Sequence, residues 1–262
     1  MSYQPPAIRK VNVVRYVTPL REGGSLPAIV EADDDFLYVA KFRGAGQGTK
    51  ALIADLIGAE MARSAGLKVP ELVLVDLDEA FGRTEPDEEI QDLLKGSTGT
   101  NLGVHYLSGA ISYDPAVNGA DPLLASKIVW LDALLTNVDR TAKNTNMLVW
   151  NRELWLIDFG ACLYFHHSWD NWEQQAILPF TNIRTHVLLA QASQLAEVNE
   201  VLTSLLTPNL LSVIIQRIPD DWLNGHGTPD EMRRVYQEFL TRRIAASSIF
   251  LKEAQDARAK LI

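Results

Sequence analysis

Residues 136–160, TNVDRTAKNTNMLVWNRELWLIDFG, constrain the fold of this chain more than any other segment. Asp139 and Asn144 stand five positions apart in a stretch too polar for a buried strand. Two short apolar runs follow, separated by a polar turn, and this pattern predicts a hairpin. The hairpin leads directly into an Asp-Phe-Gly turn that begins at Asp158. The segment therefore predicts a polar loop, a hairpin and an acidic turn, in that order.

An acid, an amide and a second acid are the side chains that phosphoryl transfer requires. Asp139 would accept or orient the proton of an attacking hydroxyl group. Asn144 and Asp158 would ligate Mg²⁺ through oxygen, the donor that a hard cation prefers. An Asp after a helix commonly just caps a turn, but the two further polar residues at matching positions favour catalysis. Lys143 would either neutralise charge on the transferred phosphoryl group or remain a solvated side chain, and both alternatives stay open.

Strand-like sequence dominates the first hundred residues. Strands are predicted at 10–20, 26–42, 69–78 and 102–107, with a turn at Asp33 to Asp35 inside the second range, and a helix is predicted at 50–65. The acidic stretch 83–101 predicts a surface excursion with about one helical turn. This part of the chain is thus expected to be β-rich with one substantial helix.

Helical periodicity dominates the second part of the chain, where only the hairpin interrupts it. Helices are predicted at 121–135, 171–178, 184–206, 208–217 and 229–258. A β-rich part followed by a helical part is typical of an α+β protein with two lobes. We expect the first lobe at residues 1–108 and the second at residues 109–262.

Lys41 ends an otherwise apolar strand. A lone lysine at such a position often extends to water, but the helix predicted at 50–65 offers it a partner. Glu60 falls near the middle of the apolar stripe of that helix, and a buried carboxylate requires a cation. We therefore expect Glu60 to pair with Lys41, the arrangement that in kinases holds the lysine against the α- and β-phosphates of ATP. Asp55, at the edge of the same stripe, is the alternative partner.

Gly23, Gly24 and Ser25 form a predicted turn one strand before Lys41. Glycines there would allow backbone N–H groups to approach the phosphates of ATP closely. A plain hairpin turn is the alternative, because the spacing GxGxxG is absent. We predict that this turn contacts ATP and that Ser25 is a candidate for autophosphorylation.

The acidic balance of the chain limits its partners. Its net charge is −9 at pH 7, so duplex nucleic acid or an anionic membrane is not expected to be the main partner. The single cysteine, Cys162, excludes an internal disulfide and is typical of a reducing cytosol. No apolar run approaches the roughly 18 residues of a membrane span. We therefore expect a soluble, cytoplasmic protein.

With these residues assembled, the chain resembles the HipA-like branch of the protein-kinase-like superfamily. The motifs that carry the resemblance are NVDRTAKN, LIDFG and the turn GLKVPE after the helix at 50–65. The resemblance implies a bilobal kinase fold that binds ATP in the cleft between its lobes. It also implies phosphorylation of a protein Ser or Thr, with Lys41, Asp139, Asn144 and Asp158 in the corresponding roles.

The acceptor is the least constrained part of the interpretation. Val138 precedes Asp139 where many eukaryotic kinases have Arg, and the pattern D-R-x-x-x-N is similar to lipid kinases except at Thr141. Two alternatives therefore remain beside a protein kinase. One is a nucleotide-binding pseudokinase that signals through its shape. The other is a kinase for the hydroxyl group of a small molecule or a lipid headgroup.

Overall fold

The computed structural model describes residues 6–20, 26–83 and 87–261. The turn predicted to contact phosphates, Gly23 to Ser25, lies outside these described residues. Within them, no single helix is long and apolar enough to cross a membrane. One bent helix pair, Leu195–Leu205 with Pro208–Ile215, meets the criteria of length and composition only.

Five strands in the first part of the chain close into a barrel. They are β1 (Arg9–Pro19), β2 (Ala28–Ala32), β3 (Leu37–Lys41), β4 (Leu72–Leu77) and β5 (Gly99–His105). Their order around the barrel is β1-β2-β3-β5-β4, with β1 and β4 parallel and the other neighbours antiparallel. The turn predicted at Asp33 to Asp35 divides the range 26–42 into β2 and β3, and Asp35 there has a positive φ of 65°. This barrel positions Lys41 at the end of β3.

Two helices accompany the barrel, α1 (Thr49–Ser64) and α2 (Glu88–Gly96). α1 matches its prediction closely and is buried on nearly every side. α2 is longer than the single turn that the sequence predicted. Asp87 is the N-cap, and its side chain accepts hydrogen bonds from two backbone N–H groups of the first turn. Ile90 and Leu94 are buried on the apolar face of the helix. α2 therefore packs as an amphipathic helix.

The second part of the chain contains a small sheet and six helices within the described residues. The strands are β6 (Ile111–Ser112), β7 (Met147–Trp150) and β8 (Glu153–Leu156), and the helices are α3 (Pro122–Leu135), α4 (Trp172–Gln175), α5 (Leu195–Leu205), α6 (Pro208–Ile215), α7 (Pro229–Ala245) and α8 (Ser247–Arg258). β7 and β8 form the predicted antiparallel hairpin. Its two turn residues, Asn151 and Arg152, both have positive φ, as a tight hairpin turn requires.

Some predicted helices are interrupted in the structure. The α-helix in the predicted range 184–206 is confined to α5, because His186 is extended (φ −66°, ψ 130°) where its ring contacts another part of the chain. The range 229–258 is two helices, α7 and α8, separated at Ala246. Tertiary contacts thus override local helical periodicity at these positions.

The apolar core has two clusters of buried residues. One fills the barrel, and the other combines α1 with the helices of the second part, so that Leu56 of α1 belongs to the same cluster as Trp130 of α3. α1 therefore packs against both parts of the chain. The division into lobes at 1–108 and 109–262 stays a prediction.

Candidate active site

Three side chains from distant parts of the chain converge at the end of β3. The Lys41 Nζ atom lies 2.7 Å from Asp55 Oδ2 and 2.8 Å from Asp158 Oδ1. Asp55 belongs to α1, and Asp158 follows β8. The side chains of Lys41 and Asp55 are 15% and 5% exposed, whereas that of Asp158 is 45% exposed. The cluster is thus buried on the side of α1 and open on the side of Asp158.

The predicted pairing of Lys41 with Glu60 is wrong, and Asp55 takes that position. Glu60 is buried but accepts hydrogen bonds from Arg217 Nη1 at 2.7 Å and Arg63 Nε at 3.2 Å. Asp55 and Glu60 are about 140° apart around the helix axis, so only one of them can face β3. Because α1 is buried on nearly every side, its apolar stripe does not show whether Asp55 or Glu60 faces β3.

Burial and charge shift the titration of all three groups. Burial raises the pKa of the Asp55 carboxyl to about 6, against the opposing effect of Lys41. The Lys41 ammonium group holds the pKa of Asp158 below its usual range. Burial alone would lower the pKa of Lys41, but the two carboxylates outweigh it and raise that pKa above its ordinary value. Lys41 therefore stays charged and can contact phosphate.

The Asp-Phe-Gly turn is fixed by contacts with α1. Asp158 has a φ of 55°, a left-handed conformation that Asp tolerates better than most residues. The Phe159 N–H donates to Asp55 Oδ1 at 2.6 Å, and the Gly160 N–H donates to Asp158 Oδ1 at 3.3 Å. The Phe159 ring packs directly on Gly58, where an added Cβ would lie only 2.6 Å from the phenylalanine Cβ. Asp55 thus positions both Lys41 and the turn that carries Asp158.

Asp139 lies in the polar loop after α3 and is contacted by two amides. Asn144 Nδ2 donates to Asp139 Oδ2 at 2.8 Å, and Asn146 Nδ2 donates to the same oxygen at 3.1 Å. The Asp139 N–H donates to Asn137 Oδ1 at 3.1 Å. Because both amides use Oδ2, these bonds leave Oδ1 of Asp139 for another partner. Asn146 therefore positions the acid together with Asn144.

A buried acid of α3, Asp132, fixes the position of this loop. It accepts hydrogen bonds from Arg140 Nε at 2.6 Å, Asn137 Nδ2 at 2.9 Å and His186 Nε2 at 2.9 Å. His186 Nδ1 accepts the Leu188 N–H at 3.0 Å, which leaves Nε2 to donate to Asp132. Burial would raise the pKa of Asp132, yet the Arg140 charge and the other donors bring it below the usual value.

Arg140 connects the two halves of the site. Its Nη1 donates to the carbonyl oxygen of Asn146 at 2.5 Å and to that of Ile157 at 3.3 Å. The Ile157 N–H also donates to the Asn146 carbonyl, at 3.0 Å. Asn146 therefore contacts Asp139 through its side chain and the residue before Asp158 through its backbone. The hydrogen-bonded network that holds Asp139 therefore extends to the backbone of Ile157, the residue directly before Asp158.

The donor set of this network fits a hard cation. The amide nitrogen of Asn144 is used by Asp139, which leaves its oxygen available, and the Asp158 carboxylate is partly exposed. No group of three His, Cys, Asp or Glu side chains among the described residues could hold a metal ion. A Mg²⁺ ion here would complete its coordination with phosphate oxygens or water, as this ion commonly does. Lys143 is exposed in the same loop.

Sequence reasoning missed Asp132, Arg140 and His186. A signal for Asp132 was present, because an acid within the apolar helix LLASKIVWLDALL predicts a buried partner. His186 had no comparable signal, since it lies 54 residues from Asp132. Cys162 is buried, and burial raises the pKa of its thiol well above the ordinary value.

Comparisons with known proteins agree with this geometry. A family model described as HipA-like kinase matches residues 13–247. A search of curated protein sequences finds no significant match. The crystal structure of the Helicobacter pylori proinflammatory kinase CtkA is similar, with a TM-score of 0.55 and 14% identity over 98% of both chains. The Golgi casein kinase is similar with a TM-score of 0.51 and 11% identity over 95% of this chain and 72% of that chain. At these identities the two structures show a shared kinase-like fold.

Proposed function

Because the chain belongs to the HipA-like kinase family, we propose that it is an ATP-dependent kinase with a Ser or Thr hydroxyl as acceptor. The family match confirms the resemblance seen in the motifs around Asp139 and Asp158. In this proposal the acceptor hydroxyl belongs to a protein, and the acceptors include hydroxyl groups of the chain itself. ATP binds in a cleft between the lobes 1–108 and 109–262, against Lys41, Asp55 and Asp158, which together form the Lys41 cluster.

Asp139 is the residue proposed to act on the acceptor. The amides of Asn144 and Asn146 fix its Oδ2 atom, so that Oδ1 can receive the proton of the attacking hydroxyl group. The acceptor oxygen forms a bond to the γ-phosphorus as the bond from that phosphorus to ADP breaks. Lys143 lies in the same loop, where its charge would offset that of the transferred phosphoryl group.

The phosphates of ATP are proposed to contact Lys41, which Asp55 fixes in position. Asn144 and Asp158 would supply the oxygen ligands for Mg²⁺, whose charge would offset that of the phosphates. The turn of Gly23, Gly24 and Ser25 remains the proposed backbone contact to phosphate. Glu60 is not part of this contact, because it pairs with Arg217 instead.

The observation that carries the proposal is the single network that runs from Asp139 through Asn146 and Arg140 to the backbone of Ile157, the residue directly before Asp158. A proton acceptor and a metal ligand connected in this way can act on the same phosphoryl group. The net charge of −9 and the single cysteine support a cytoplasmic enzyme without a nucleic acid or membrane partner.

Phosphoryl transfer is tested by incubating the protein with ATP and Mg²⁺, alone and with cell lysate, and measuring intact mass and labelled products. We expect transfer by the wild type and its loss in Asp139→Ala and Asp158→Ala, both still folded. Asp256→Ala, which removes an exposed acid of α8, is the matched control and should retain activity. Transfer only to the metabolite pool would select a small-molecule acceptor. Stabilisation by nucleotide without any transfer would replace the proposal with a binding module.

A further inference from the structure

The segment between α6 and α7 reaches back to the elements that carry the Lys41 cluster. Residues 217–222, named the bridging segment here, contact α1, the end of β3 and the start of β5. These elements lie far away in sequence, with separations of 157, 178 and 122 residues. One short segment of the helical part thus contacts three elements around the proposed nucleotide site.

The contact with α1 is a buried ion pair. Arg217 Nη1 donates to Glu60 Oε2 at 2.7 Å, and both side chains are largely removed from solvent. Arg63 donates to the other carboxylate oxygen and also to the carbonyl groups of Val69 and Pro70 before β4. Charged groups removed from water require close partners, so Glu60 restricts how α1 can shift relative to the bridging segment.

The contacts with the barrel lie just beyond Lys41, at the end of β3 and the start of β5. Arg43, two residues after Lys41, contacts the Asp221 side chain at 2.5 Å and its carbonyl oxygen at 3.0 Å. The buried Trp222 donates its Nε1–H to the carbonyl of Thr100 at 2.9 Å. Thr100 lies in β5, the strand that pairs with β3. The bridging segment therefore contacts the residues that directly follow the strand presenting Lys41 and also the strand beside it.

The other side of the bridging segment is fixed to α7. Arg233 donates to the Ile218 carbonyl at 2.6 Å and to the Asp220 carboxylate, and it also contacts Asp230 within α7. Its side chain is only 10% exposed. Because the segment has fixed contacts on both sides, it can define the position of α1 relative to β3.

We propose that Glu60 and Arg217 are positioning residues that set α1 against β3 so that Asp55 meets Lys41. Asp55 lies about 1.4 turns, or about 7.5 Å, before Glu60 along the same helix. A displacement at Glu60 is therefore transmitted to Asp55 and, through its bond to the Phe159 N–H, to the Asp158 turn. The inference rests on the proposed function, because Lys41 contacts ATP phosphates only if the chain binds ATP.

Nucleotide affinity distinguishes a positioning role of Arg217 from a role in stability alone. A variant that is merely less stable still binds ATP normally in its folded fraction well below its melting temperature. If Arg217 positions Lys41, then Arg217→Met raises the Kd for ATP with Mg²⁺ about 10- to 100-fold, the size expected for one lost charged contact. Arg217→Lys, which keeps the charge, should recover part of the affinity.

The experiment measures ATP binding by calorimetry in the presence of Mg²⁺ for the wild type, Arg217→Met, Arg217→Lys and Glu60→Gln. Lys252→Met, which removes an exposed ion pair within α8, is the control and should match the wild type. Asp221→Asn provides a second test on the same segment if Arg217→Met does not fold, and a smaller rise in Kd is expected there.

The outcomes separate the two proposals. Wild-type affinity in the folded variants of Arg217, Glu60 and Asp221 overturns the positioning role while leaving the proposed function intact. No ATP binding by the wild type overturns the proposed function and this inference together. A raised Kd that Arg217→Lys partly restores supports both.

Discussion

Gly58 of α1 offers the most direct way to displace the Asp-Phe-Gly turn without touching a polar group. A Cβ at this position would lie 2.6 Å from Phe159 Cβ and Cγ and 2.7 Å from Cδ1. Ordinary carbon contacts are about 3.5 to 4.0 Å, so Phe159 must move by roughly 1 Å in Gly58→Ala. The ring is buried, and its backbone N–H contacts Asp55. The movement therefore disturbs the contact between α1 and the turn that carries Asp158.

The expected costs differ for stability and for activity. Overpacking of a core costs about 1–3 kcal/mol, while replacing a helical Gly with Ala gains about 1 kcal/mol. The net loss of roughly 0–2 kcal/mol leaves the protein folded. A displacement of about 1 Å at a catalytic group can cost on the order of 100-fold in rate. We therefore expect Gly58→Ala to lose activity far more than stability.

The assay compares kcat for phosphoryl transfer with the free energy of unfolding in urea. Gly96→Ala is the matched control, because the nearest atom to its added Cβ is 3.9 Å away, and it should behave as the wild type. Adding Phe159→Leu to Gly58→Ala makes room at the contact and should restore part of the rate. Unchanged kcat in Gly58→Ala would refute the idea that α1 positions Asp158 through Phe159.

Two further predictions concern stability. Asp132→Ala leaves the buried Arg140 guanidinium without its carboxylate and should lower the free energy of unfolding by about 3–5 kcal/mol. This loss is measured by unfolding in urea, with Asp256→Ala as the control. A loss below about 1 kcal/mol would contradict the buried network. Burial lowers the pKa of His166 from 6.5 to about 3, so the unfolded chain binds a proton that the folded protein excludes, and stability falls as pH drops below 6.5. Between pH 8 and pH 5 this loss is about 2 kcal/mol, and equal pH dependence in His166→Asn and the wild type would disprove it.

Local patterns predicted those parts of the structure that local chemistry determines. α1, the β7–β8 hairpin and the strand that presents Lys41 follow from periodicity and turn residues. The full length of α2 could also have been predicted, because Asp87 is a favourable N-cap and Ile90 and Leu94 have helical spacing. The polar loop and the Asp-Phe-Gly turn were recognised because their residue types and order reflect one chemistry.

The remaining contacts depend on tertiary structure. Glu60 pairs with Arg217 and Asp132 pairs with His186 across 157 and 54 residues, and no periodic pattern connects such positions. The choice between Asp55 and Glu60 failed for the same reason. Both acids are buried in α1, and only the positions of β3 and the bridging segment determine which cation each one meets.

The most direct test is a crystal structure of the protein with Mg²⁺ and a non-hydrolysable ATP analogue. The account predicts a metal ligated by the Asn144 amide oxygen and the Asp158 carboxylate, with Lys41 on the α- or β-phosphate and Asp139 facing the γ-phosphate. A nucleotide bound away from Lys41, or Asp139 and Asp158 facing different ligands, would contradict it.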